Sequence, residues 1–140
     1  FLVCTSSDDE NVTGAGTAAT VPFGNEIFDT NGDFASSTFT APVTGKYFLS
    51  TVVRASGMAS DNTAGNIQFV TSNRTYKVGE SNPYAMGASG VFQFHGSILA
   101  DMDAADTCTV VLTVFNGSDV VDIRGGATPL ESYFYGELVS

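Results

Sequence analysis

The chain has no tryptophan, one histidine, two cysteines and only five lysines and arginines among its 140 residues. Each scarcity excludes something. A catalytic triad or a His-rich metal site would need the lone His95 beside a nucleophile and a carboxylate, and nothing around Cys4 or Cys108 would activate a thiol to serve it. Two cysteines do not make a disulfide framework. Each lies in a strand-like run, where a buried free thiol behaves as a small hydrophobe; the alternative, a Cys4–Cys108 bridge, would need Cα atoms within ~7 Å. Five cations against fifteen carboxylates give a net charge of −10. That balance lacks the basic footprint for nucleic acid and the attraction for an anionic membrane surface. No apolar run approaches the ~20 residues of a membrane-spanning helix, and no signal-peptide pattern opens the sequence as it stands. Phosphate loops, dinucleotide fingerprints and zinc spacings are also missing.

What is present is strand-forming sequence. Hydrophobic residues make up 43% and glycine contributes 15 positions, with no long helical periodicity, which predicts one all-β domain over residues 1–140. Strands are predicted at Phe1–Ser6, Ala18–Phe23, Glu26–Asp29, Ser37–Ala41, Lys46–Ser56, Gly65–Ser72 and Thr75–Val78. Further strands are predicted at Gly90–Ala100, Asp106–Asn116, Val120–Arg124 and Glu131–Val139. Turn-rich stretches such as "SSDDENVTGAGT", "DTNGDFAS", "ESNPYAMGAS" and "DMDAAD" separate them. In "STFTAPVTGKYFLSTVV", Pro42 and Gly45 predict a tight connection between two antiparallel strands, with Gly45 supplying a positive φ.

Alternation predicts which residues share a face. Phe92, Phe94 and Ile98 oppose Gln93, His95 and Ser97. Cys108, Val110, Leu112 and Val114 oppose Thr107, Thr109, Val111, Thr113 and Phe115. Phe134 and Leu138 oppose Tyr133, Tyr135 and Val139. Several strands are thus apolar on both faces, and the second face needs cover from more protein or another subunit.

Asp101, Asp103 and Asp106 in "DMDAAD" are candidate metal ligands for calcium, although the loop lacks the Gly and terminal Glu of an EF-hand and reads first as a solvated turn. The run "SSDDEN" reads as a solvated charge cluster. Asn11, Asn73 and Asn116 open N-x-S/T triplets.

Four segments carry a family resemblance. "FTAPVTGKYFLS" resembles the F-x-x-P-x-x-G-x-Y-x-F signature of the complement C1q/tumour-necrosis-factor-like jelly rolls through Phe39, Pro42, Gly45 and Tyr47, with Phe48 next to Tyr47 and Leu49 in the place of the last aromatic. "FDTNGDF" is similar to the segment that approaches this signature. Ala88, Ser89 and Gly90 match the start of the family's strand-turn-strand element. "SYFYGELV" looks like its terminal F-x-G-x-L strand through Phe134, Gly136 and Leu138. Some members bind calcium through aspartates ahead of the "ASG" element; here "GESNPYAMG" has Glu80 as its one carboxylate, so the resemblance does not carry that site over.

The resemblance implies a ten-stranded antiparallel jelly-roll sandwich assembled as a homotrimer, with Phe92, His95, Tyr133, Phe134 and Tyr135 as candidates for the subunit contact. It implies a non-enzymatic recognition or adhesion head with no cofactor. The partners expected are the chain itself and a cell-surface receptor or glycan, in an extracellular or virion-surface location. Since Phe1 is not an initiator Met, the domain is expected to be the C-terminal head of a longer chain. The Lys-poor, Thr/Ser/Asn/Gly-rich texture points to the receptor-binding tip of a phage or bacterial surface fibre. The alternatives are a secreted animal ligand or pattern-recognition head, and a carbohydrate-binding module, for which a Trp-lined face would be expected.

Overall fold

A computed structural model describes residues 1–83 and 90–140; the predicted match at Ala88 and Ser89 lies outside the described residues. Among the described residues thirteen strands are seen: β1 (Leu2–Cys4), β2 (Asp9–Thr13), β3 (Ala18–Thr20), β4 (Asn25–Phe28), β5 (Phe34–Ala35), β6 (Thr38–Thr40), β7 (Gly45–Met58), β8 (Ala64–Thr71), β9 (Thr75–Ser81), β10 (Gly90–Met102), β11 (Thr107–Phe115), β12 (Val121–Ile123) and β13 (Tyr133–Leu138). They form two antiparallel sheets packed face to face as a jelly-roll sandwich. The strand count exceeds the ten expected. β2 and β5 fall inside stretches that read as turns, and the other eleven answer one to one to the eleven strands predicted.

In the first sheet, β7 is the spine. β10 pairs along its whole length, while β13 and β12 lie end to end on its other edge. The sheet continues through β1 and β4 beyond β13, and through β2 beyond β12. In the second sheet, β11 plays the same part between β8 and the shorter β6 and β3, with β9 and β5 at the edges.

Period-two alternation explains the core. Tyr47, Leu49, Val53 and Ala55 of β7 face Ile67 and Phe69 of β8 and Cys108, Val110, Leu112 and Val114 of β11, all buried. Inward Thr51 is tolerated because its hydroxyl donates to the Tyr133 carbonyl at 2.9 Å. Phe134 is the aromatic hub: its ring centroid lies 5.0 Å from Phe1, 5.8 Å from Phe23, 5.9 Å from Phe34 and 5.5 Å from Phe69.

The step around Pro42 and Gly45 differs from expectation in two respects. β6 and β7 do not pair; β6 belongs to the second sheet and β7 to the first, so the connection crosses the sandwich. Gly45 is not among the positive-φ residues. It is small because a Cβ there would lie 2.7 Å from both the Ser140 carbonyl oxygen and the Leu138 side chain. Tyr47 holds the turn, donating its hydroxyl proton to the Val43 carbonyl at 2.6 Å. Gly136, in the terminal signature, is small for a similar reason: a Cβ would strike the Phe1 ring at 2.5 Å.

One edge of each sheet, β10 and β9, closes on the other through paired glycines. A Cβ on Gly79 would sit 2.6 Å from the His95 carbonyl oxygen, and one on Gly96 2.5 Å from that of Val78. Gly96→Val is therefore expected to force the edges apart and to cost ~1–3 kcal/mol of unfolding free energy. Gly24→Ala, where a Cβ meets nothing within 4 Å, should stay within about 0.5 kcal/mol of wild type. Urea unfolding midpoints of the two variants check the pair.

Candidate functional site: the outer face of the first sheet

Register fixes which side chains share the outer face of the first sheet. His95, Val52, Tyr133, Cys4 and Asn25 form one row across β10, β7, β13, β1 and β4. Ser97, Ser50, Tyr135, Leu2 and Phe28 form the next, and Leu99, Phe48 and Glu137 a third. The Phe48 and Tyr135 rings meet edge-on with centroids 6.5 Å apart. Leu99 is 52% exposed and Phe28 47%, so an apolar band runs across five strands with little over it. Its border is charged: Arg54, on the same face of β7, pairs with Glu131.

The outer face of the second sheet is different. Thr113, Asn66 and Glu80 make one row, Val111, Gln68 and Lys77 another, and Thr109, Val70 and Thr75 a third. Hydroxyls and amides dominate there. Thr113 and Asn66 in the first of these rows are buried, with Asn66 Oδ1 lacking a hydrogen-bond partner among the described residues, whereas Leu99 and Phe28 of the first sheet stand half exposed.

The five residues predicted for a subunit contact are thus divided. His95, Tyr133 and Tyr135 lie together on the outer face. Phe92 turns inward, 4.7 Å from Phe94, at the seam with β9. Phe134 is fully buried in its own chain's core and has no surface for a neighbour. Sequence reasoning missed Phe48, Val52, Leu99 and Phe28, whose place on this face appears only once β7 is seen to pair on both edges.

Nothing in this arrangement assembles a nucleophile. Cys108 points into the core, and burial pushes its thiol up to about 12. Cys4 is buried too, accepting from the Asn25 side-chain amide at 3.2 Å. It lies three strand spacings from His95, roughly 14 Å. The two thiols are unpaired.

The "DMDAAD" carboxylates do not converge. Asp106 Oδ1 accepts from the Ser72 hydroxyl at 2.7 Å, and Oδ2 accepts from the Asn73 amide and from the Asp103 backbone N–H. Asp101 sits across from Lys46. Among the described residues no three His, Cys, Asp or Glu side chains group as a metal site would require. The same hydrogen bonds, Ser72 first, hold the Asp106 carboxyl below its ordinary 3.8. A depressed carboxyl contributes stability above its unfolded pKa and loses it as pH falls through the folded value. Asp106→Ala should therefore reduce stability at pH 7 and flatten its fall below about pH 4; thermal melts across that range check both.

Of the three N-x-S/T triplets, Asn73 and Asn116 already donate their side-chain amides, to Asp106 and to Thr63. Asn11 is exposed in a left-handed conformation, φ 58°.

No family model and no curated protein matches the chain. Solved structures do. The globular domain of zebrafish complement 1qA protein aligns with a TM-score of 0.65 at 16% identity, over 100% of this chain and 96% of that one. Murine APRIL aligns at 0.61 and 10% identity, over 96% and 93%. Eiger TNF from S. frugiperda aligns at 0.59 and 6% identity, over 100% and 92%. At such identities the likeness establishes the fold alone: a two-sheet jelly-roll sandwich like those of the complement and TNF domains.

Proposed function

We propose that the chain is a non-catalytic recognition head that works as a homotrimer, packing through the outer face of its first sheet and presenting its loops to a receptor or glycan. The observation that carries this reading is the contrast between the two outer faces: an apolar band with Leu99 and Phe28 half exposed on one, threonine and amide rows on the other. Covering the band removes apolar area from water at about 25 cal/mol per Å². The fold neighbours support it, since they are a complement protein's globular domain, APRIL and a TNF. Three copies of −10 would repel further association and keep assembly finite.

Such a head acts outside the cell or on a particle surface. Two settings fit. The lysine-poor surface favours the tip of a phage or bacterial fibre, while the three named neighbours, all animal proteins, favour a secreted ligand or pattern-recognition head. Gly-X-Y repeats ahead of Phe1 would mark the second setting, and a β-helical or coiled-coil shaft the first. The function is tested by glycan-array and whole-cell binding of the assembled protein beside a monomeric variant. A recognition head should bind saturably as the trimer and lose about 10²-fold or more in avidity as the monomer. Equal binding by both forms, or none by either, would contradict the reading.

A further inference from the structure

The sheets part near β4, β6 and the end of β13, leaving an open cleft of about 530 Å³ that borders the proposed subunit contact and shares Phe28, Tyr135 and Glu137 with it. Its floor is aromatic. Phe1 lies 4.7 Å from Phe39, and Phe39 5.4 Å from Tyr47, ring centroid to centroid. Phe28, Val43 and Leu138, each about half exposed in the single chain, form apolar walls. Asp29, Asp33 and Glu137 add carboxylates to the lining, and no Lys, Arg or His stands among the described residues that line it.

Those carboxylates form no ion pair, although the Phe1 α-ammonium stands at the cleft. The three ion pairs among the described residues lie elsewhere, at Arg54–Glu131, Lys77–Glu80 and Arg124–Asp8. The Phe1 nitrogen donates to the Gly136 carbonyl at 2.9 Å. Asp29 accepts the Phe34 N–H on Oδ2 and so leaves Oδ1 open, while Glu137 accepts from the Tyr135 hydroxyl.

From this geometry we infer that the cleft is a binding site for a small organic cation, an ammonium or quaternary ammonium head on an apolar body. The volume falls within the ~300–1,000 Å³ of small-molecule sites. The rings of Phe1 and Phe28, which reach the surface where Phe39 and Tyr47 do not, attract a cation that has shed water, and carboxylates without an ion pair concentrate positive charge. A neutral guest would gain only the apolar burial, and an anion would meet three carboxylates.

The test uses the intact protein in its own solution assembly, followed by amide NMR and calorimetry. The probes are benzyltrimethylammonium, choline, and the neutral alcohol in which carbon replaces choline's nitrogen. Saturable binding of benzyltrimethylammonium is expected, with shifts confined to residues 28–33, 39–47 and 135–138. Choline should bind more tightly than its neutral twin, and the double variant Asp33→Asn/Glu137→Gln should weaken the cations roughly tenfold with the remaining spectrum unchanged. Phe28→Ala should weaken all three probes. The inference is overturned if the neutral alcohol matches choline, if shifts scatter over the surface, or if no probe saturates in the millimolar range. Because Phe28 and Glu137 also lie on the proposed contact face, sedimentation of each variant beside the unaltered protein separates a loss of binding from a loss of assembly.

Discussion

Phe134→Ala is expected to lower the unfolding free energy by ~3–5 kcal/mol. Domains of this size are held by ~5–15 kcal/mol in total, so the variant should be near the edge of folding. The reason is position. Phe134 meets Phe1, Phe23, Phe34 and Phe69 from both sheets, so its removal opens a void that no one strand can collapse to fill. Phe134→Leu retains most of the volume and should lose clearly less. Urea unfolding measures both; a loss below about 1 kcal/mol for the alanine variant would show that the hub does not hold the sheets together.

Tyr133→Glu should separate subunits without unfolding them. Tyr133 lies in the row formed by His95, Val52 and Cys4, at the middle of the apolar band. A carboxylate buried there, unpaired and repeated in each copy, costs several kcal/mol per site. With 1.4 kcal/mol per tenfold, association should weaken by at least about 10². Thr109→Glu, on the opposite outer face, should leave the assembly intact. Sedimentation of the two variants tells which face is covered: dissociation by Thr109→Glu, or none by Tyr133→Glu, assigns the contact wrongly here.

The sandwich was legible because β10 and β11 alternate cleanly, and the alternation of Phe94 against His95 and of Val110 against Thr109 is what the structure has. β2 was not legible. "DENVT" is charged and has no period-two pattern, and Asn11 at φ 58° interrupts its extended backbone. β5 is too short to carry any pattern. Gly45 was placed in a turn for its backbone freedom, but its smallness answers a contact with Ser140 at the other end of the chain, which no local reading contains.

The candidate face was half legible for a physical reason. Where a strand is apolar on both sides, alternation separates Phe134 from Tyr133 and Tyr135 without saying which side is inside. The order of strands in the sheet decides it. Phe92 shows the converse: its face was read correctly, but that face is the interior one. The cleft was not legible at all, since Phe1, Phe28 and Tyr135 come from distant segments brought together only by the pairing of β1 with β4 and β13.

The central claim is that copies of the chain cover the oily band on the first sheet. Light scattering coupled to size exclusion measures this on the unaltered protein. The account predicts a mass about three times 14.6 kDa; a single species of 14.6 kDa at micromolar concentration, with Leu99 and Phe28 left in water, would contradict it.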